Sequence, residues 1–205
     1  MQATVNGKFE PFEFTADGVR QRATGCNDGG RGCLRDLLYQ AQAQCYNLGQ
    51  PNNNTIIEVG SWAGAHAIQL ADLGFLVYCV DHWRGGPRDS TGCIARALGS
   101  RTIFQGFCRN VGDRLLRSIF PCVGSSETWA AVWPYPVMGI FIDADHSYEQ
   151  CKADIEAWWP HVLPRGILCG HDYEMFPGVK QAADEFGIDG HDREVWWKWK
   201  PTETP

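Results

Sequence analysis

From residue 55 onward, apolar runs of strand length alternate with amphipathic segments of helix length, and few architectures accept that order. Thr55–Val59 is a compact run ending in Val59-Gly60, and segments 75–80, 119–123, 137–142 and 167–169 read the same way. Between them, 65–73 carries a helical pattern. Tyr148, Cys151, Ile155 and Trp158 mark the buried face of a helix opened by Ser147 and stopped by Pro160, with Gln150 completing a capping-box pattern. Leu163-Pro164-Arg165-Gly166 reads as a turn into the fifth strand, and Val179, Ala182, Ala183 and Phe186 share one face of a later helix. Strands joined by helices run parallel and have both faces covered. The expected fold class is α/β, a doubly wound and mostly parallel sheet with helices on both faces.

The ends are less regular. Residues 1–33 lack steady periodicity and read as an irregular N-terminal arm, and residues 34–205 as a single domain. Leu34, Leu37, Leu38, Ala41 and Cys45 recur at helical spacing until Gly49-Gln50-Pro51. After residue 186 only 194–200 reads clearly as a strand, with 188–189 a weak sixth, so the C-terminal antiparallel end is expected to be abbreviated. The arm and segment 84–112 have the composition of a lid, where substrate selectivity would reside.

A formal net charge of −6 argues against a large nucleic-acid footprint, which needs a basic field. Nine cysteines are spread along the chain without a Cys-x-x-Cys pair, which disfavours a zinc ribbon. Several sit in apolar runs, as in Val77-Tyr78-Cys79-Val80, and read as buried free thiols in a reducing compartment; a Cys26–Cys33 disulfide is the lesser alternative. With no apolar leader and no run of membrane-spanning length, the expectation is a cytoplasmic protein with no membrane partner. Nothing in the sequence decides between monomer and homo-oligomer.

In a sheet of this kind ligands bind beyond the carboxyl ends of the strands. The first strand ends in Glu58-Val59-Gly60-Ser61-Trp62-Ala63-Gly64. Gly60 permits a sharp turn, Gly64 permits close approach of a ligand, and the helix start offers free N–H groups. A dinucleotide site asks for a glycine where Trp62 stands. An ordinary strand-to-helix turn would explain the glycines alone. The second strand, however, ends in Asp81-His82-Trp83, about 20 residues on, where a ribose diol is usually held. The third ends in Gly124-Ser125-Ser126.

The Glu-x-Gly-x-x-x-Gly spacing, followed by these strand ends in order, resembles the class I methyltransferases that use S-adenosylmethionine on a Rossmann-like domain. The resemblance implies a cofactor site made by Glu58, Gly60, Ser61, Gly64, Asp81, His82, Trp83, Gly124, Ser125, Ser126 and Asp143. Asp81 would take the ribose hydroxyls, and Trp83 would lie along the adenine face or serve as a core or lid aromatic. The small residues 124–126 would flank the adenine edge.

Asp143-Ala144-Asp145-His146-Ser147-Tyr148-Glu149 follows the fourth strand, and Gly170-His171-Asp172-Tyr173 the fifth. These segments resemble the small O-methyltransferase branch, including catechol-type and macrolide-sugar enzymes, in which such strand ends hold a divalent metal. The resemblance covers roughly residues 55–186 and implies Asp143, His171 and Asp172 as ligands. His171 stands where the catechol-type pattern has a carboxylate, and His146 where it has a catalytic lysine. An imidazole shifts metal preference from Mg²⁺ towards Mn²⁺, Fe²⁺, Co²⁺ or Zn²⁺. The alternative for the trio is a polar rim without metal. His146 reads as the base that removes the acceptor's proton, with Asp143 the second catalytic residue, or as a helix-start histidine. Asp145 would orient His146 or cap the turn before Ser147. On the residues alone His66, His82, His161 and His191 have no partner set and read as structural or surface residues.

The function implied is methyl transfer from S-adenosylmethionine to the hydroxyl of a small molecule or sugar, assisted by Mg²⁺ or Mn²⁺. Two other classes stay open: a nicotinamide oxidoreductase on the same topology, disfavoured by Trp62, and a binding protein of this fold without catalysis.

Overall fold

The computed structural model describes residues 12–16, 19–23, 31–86, 94–96 and 98–202. Its main sheet has seven strands: β3 (Thr55–Val59), β4 (Leu76–Asp81), β5 (Ile119–Val123), β6 (Val137–Ile142), β7 (Val162–Gly170), β8 (Gly190–Asp192) and β9 (Val195–Trp199). They lie in the order β5-β4-β3-β6-β7-β9-β8. The first five are parallel, and β9 and β8 add an antiparallel end. The strand order reverses beside β3, which opens a crevice at the carboxyl ends of β3, β4 and β6.

Side chains alternate across this sheet into two cores. Ile56, Val77, Phe141 and Ile167 face α1 (Arg31–Asn47), α2 (Ala65–Asp72) and α3 (Ser100–Val111). Ile57, Val59, Ile140 and Leu168 face α4 (Ser126–Val132), α5 (Tyr148–Trp158) and α6 (Pro177–Phe186). Both β3 and β6 are buried along their whole length. That explains why they read as continuous apolar runs rather than alternating ones. The expected α/β class with helices on both faces is what forms.

Several boundaries differ. Within the arm expected to be irregular, β1 (Phe12–Ala16) and β2 (Val19–Ala23) pair antiparallel as a separate two-stranded sheet. Helix α1 begins at Arg31, ahead of its first apolar position. The turn expected at 163–166 is absorbed into β7 as an irregularity: the register against β6 shifts between Val137 and Gly139, with Arg165 at φ 65°. Gly166 belongs there because a Cβ would stand 2.4 Å from the Met138 carbonyl oxygen. Part of the lid-like segment is core instead, since α3 buries Ile103, Phe107 and Val111. The weak strand expected at 188–189 lies slightly later, as the three-residue β8, and the antiparallel end is short as anticipated. Among the described residues no helix is long and apolar enough to cross a membrane. Seven cysteines are free, and Cys26 and Cys93 lie outside the described residues.

Candidate active site

A cavity of about 390 Å³ opens over the carboxyl ends of β3, β4 and β6. Glu58, Gly60, Ser61, Asp81, His82, Gly124, Ser126 and Asp143 all line it, as do His146, His171 and Asp172. The sequence-expected residues therefore converge, with three exceptions.

Gly60 has φ 91°, and a Cβ there would lie 2.1 Å from the Asp143 carbonyl oxygen. The chain leaving β3 thus crosses directly against the chain leaving β6, and the Asp143 N–H donates to the Val59 carbonyl. Only glycine fits both the conformation and the crossing. Gly64, the first exception, does not open the cavity. It caps α2 at φ 87°, and a side chain would press on Val111 and Phe107 of α3. Its role is helix packing, not ligand approach.

Asp81 points back at its own loop. It accepts hydrogen bonds from the backbone N–H groups of Trp62 (2.8 Å) and Trp83 (2.6 Å). Burial raises its carboxyl, while those two amides work the other way. Asp81 also lines the cavity. Trp83, the second exception, is only 1% exposed and packs against Phe104 and Phe107, with its indole N–H donating to the Trp62 carbonyl. It is a core aromatic, because a positive φ of 51° turns it inward beneath the loop. Ser125, the third, caps α4, accepting from the Thr128 N–H.

Glu58 is fully buried on β3. Ser61 Oγ donates to it at 2.5 Å and Cys79 Sγ at 3.5 Å. Burial pushes its carboxyl up to about 7, against the opposing pull of His66 and Ser61.

At the β6 and β7 ends the grouping differs from the expected trio. Asp143, His146 and Asp172 each offer a ligand atom within 4.8 Å of the others. His171 is not in this set: its Nδ1 bonds Asp172 Oδ1 at 3.1 Å, and its ring is buried near His66. The reason is local backbone: Asp172 adopts φ 65°, which turns its carboxylate back over His171 while reaching His146 Nε2 at 2.8 Å. Burial opposes charge on Asp172, but bonds from His146 and His171 outweigh it and hold the carboxyl well below the usual range. The His146 ring also stacks on Phe176, centroids 4.0 Å apart. Asp145 caps the turn, accepting from the Ser147 N–H. The capping box does not form, since Gln150 reaches Glu127 and Asp154 instead.

Among the lining residues that the sequence reading did not place in the site are His66, Gln150, Asp154 and Phe176. His66, in the first turn of α2, contacts Asp143 Oδ2 at 3.1 Å and sets its ring edge-on to Phe141. Gln150 and Asp154 lie on the inner face of α5. A signal for Asp154 was present: it interrupts the Cys151–Ile155–Trp158 stripe, so it had to be buried.

The strand order, the antiparallel last pair and a ligand crevice beyond β3 and β4 define the class I methyltransferase fold. Residues 57–173 match the methyltransferase domain family, and the chain belongs to it. Among solved structures it is similar to the O-methyltransferase NovP, at 20% identity over 84% of this chain and 79% of that one, with a TM-score of 0.59. It is also similar to the calicheamicin methyltransferase CalS11 (18%, 82% and 80%, 0.54). The O-methyltransferase from Bacillus cereus in complex with SAH is a further likeness (16%, 86% and 84%, 0.51). A curated relative, the uncharacterized protein y4gI of Sinorhizobium fredii, is 27% identical over 126 residues. That match takes in 58% of this chain but only 13% of the relative's length.

Proposed function

We propose that the protein transfers a methyl group from S-adenosylmethionine to a hydroxyl of a small molecule or sugar, with a divalent cation at Asp143, His146 and Asp172. The observation that carries this reading is the convergence of that donor set in the same cavity that Gly60 and Asp81 line. The cavity chemistry fits the donor: an acid, Asp81, for a diol, and small residues at Gly124 and Ser126 for a flat base. Two carboxylates and an imidazole fit a six-coordinate cation with positions left for substrate oxygens. A cation held there supplies Lewis acidity, lowering the pKa of a hydroxyl bound to it. The protein's own part is alignment: Asp172 and Phe176 fix the His146 ring, and His66 holds the Asp143 carboxylate. NovP and CalS11, described as methyltransferases, support a hydroxyl acceptor by analogy of fold alone.

A second reading is favoured by the 2.8 Å His146–Asp172 contact. There His146 is the general base, oriented by Asp172, and no metal is needed. Its Nε2 stays bonded to Asp172 and Nδ1 takes the proton, an arrangement that a cation shared by the two residues would disrupt, so the two readings are separable. The test is a hydroxyl-acceptor panel with chelator-treated enzyme. The metal reading expects loss of transfer on chelation, recovery with Mn²⁺ at least as full as with Mg²⁺, and retained S-adenosylhomocysteine binding. Full activity after chelation, lost only in His146→Ala, would establish the base reading instead.

A further inference from the structure

A second cavity, of about 440 Å³, takes no part in the proposed function. Gln40 and Gln44, one turn apart on α1, line it together with Arg165, Trp199, Lys200 and Thr202. Topology sets its place. Arg165 stands near the start of β7 and Trp199 at the end of the antiparallel β9, where it pairs with Ile167. The cavity therefore lies at the opposite end of the sheet from the carboxyl ends that make the candidate active site. Asp172 follows the far end of β7, a nine-residue strand. At about 3.3 Å per strand residue, roughly 20 Å separates Arg165 from that donor set.

Charge distinguishes this cavity. On a chain of net charge −6, no carboxylate among the described residues lines it. Arg165 is exposed, and its guanidinium has no ion-pair or hydrogen-bond partner among the described residues; the same holds for the side-chain amides of Gln40 and Gln44. Lys200 is buried, with its ammonium donating to the Trp159 carbonyl at 3.1 Å and lying 4.2 Å over the Trp159 ring. Arg165 is thus the cation left to meet a ligand. It also holds φ 65°, a left-handed backbone that glycine adopts freely and arginine does not. Two bonds fix that backbone: the Arg165 N–H donates to the Lys200 carbonyl and the Lys200 N–H to the Gly166 carbonyl, each at 2.9 Å. An arginine held in such a conformation beside a cavity is kept for its side chain.

We infer that this cavity binds an organic oxyanion carried on an aromatic ring, with the anion on the Arg165 guanidinium and the ring on the Trp199 indole. A guanidinium matches a carboxylate or a phosphate through paired N–H donors, which a point charge cannot do. The half-buried indole adds a flat apolar surface, and Gln40, Gln44 and the Thr202 hydroxyl supply further hydrogen-bonding groups. The volume lies within the range of small-molecule sites. The inference does not depend on the methyl-transfer reading, because the two cavities share no residue.

The experiment is calorimetric titration of chelator-treated protein with phenyl phosphate, benzoate, inorganic phosphate and phenol, on wild type and on Arg165→Gly. Chelation removes any cation that could hold an anion at Asp143 and Asp172. Phenyl phosphate or benzoate should bind the wild type about tenfold or more tightly than either inorganic phosphate or phenol, and the tighter of the two aryl anions identifies the oxyanion. Arg165→Gly should lose about tenfold or more of that affinity, the range of a hydrogen bond to a charged group. Its melting temperature should hold or rise, since glycine adopts φ 65° without strain. Should the glycine variant fail to fold, Arg165→Gln is read in the same way. Three results overturn the inference: no saturable binding of either aryl anion, inorganic phosphate or phenol binding as tightly as the better of them, or unchanged affinity in the folded variant.

Discussion

Replacing Glu58 by glutamine should make the protein more stable at alkaline pH and less stable at acid pH. Glu58 is fully buried, and burial raises its carboxyl from an ordinary value of 4.5 to about 7. For a group whose folded pKa is raised, the contribution to stability is fully present below the unfolded value and is lost as pH climbs through the folded one. The window is therefore about pH 4.5 to 7. At about 1.4 kcal/mol per pH unit, the wild type loses about 3 kcal/mol across it through this residue. Glutamine carries no charge at any pH and keeps the acceptor for Ser61 Oγ–H. The same oxygen also accepts from Cys79 Sγ, so the new N–H₂ takes the place of Oε1, at a cost of about 1 kcal/mol. The net expectation is a gain of about 2 kcal/mol at pH 8 that shrinks to about zero near pH 5 and turns into a loss of about 1 kcal/mol only below about pH 4. In a chain of this size the gain appears as about 4–8 °C in melting temperature. Urea unfolding of both proteins from pH 5 to 8 is the assay, with m-values required to agree. Asp154, raised to about 6, titrates in the same window, so the difference between the two proteins, not either slope, isolates Glu58. Parallel stability curves over the whole range would refute the reasoning.

Two further outcomes concern the scaffold. Gly60→Ala combines φ 91° with a Cβ 2.1 Å from the Asp143 carbonyl, and should cost about 3 kcal/mol or more in chemical unfolding; a loss under about 1 kcal/mol would mean the two strand ends do not cross as described. Cys79, Cys122 and Cys169, all buried with thiols raised by burial, should react with thiol reagents only at the rate of unfolding, and fast native-state labelling of all three would contradict their placement in the sheet.

The sheet was legible because β6 is apolar throughout and β3 mostly so, and each is followed at once by glycine or acid. Gly60, Asp81 and Asp143 could be found from strand ends alone, since topology brings those ends together whatever lies between them. What failed depended on directions that spacing does not carry. Trp83 follows Asp81 in the chain, yet a left-handed backbone sends it into the core. Asp172 turns the same way, and so His146, from another strand end, replaces its own neighbour His171 in the donor set. His66 was passed over because its partner Asp143 lies 77 positions away, a pairing that exists only once β3 and β6 are adjacent. Helix α4 escaped notice because its seven residues bury little beyond Ala130.

The antiparallel end carries a consequence for the chemistry at β7. Trp196 of β9 lies so close over Gly170 that a Cβ there would come within 2.5 Å of the indole. Just beyond, the Tyr173 N–H donates to the Glu194 carbonyl, the Met175 N–H to the Glu194 carboxylate, and His191 stacks on the Tyr173 ring. Residues 171–176, which supply Asp172 and the Phe176 platform under His146, are thus moored from behind by the β8–β9 hairpin as well as by the Phe176 N–H bond to the Asp172 carbonyl within the loop. The hairpin lines no part of the cavity, yet it works as a keel: the turn that carries Asp172 takes much of its heading from this outlying pair of strands zipped to β7.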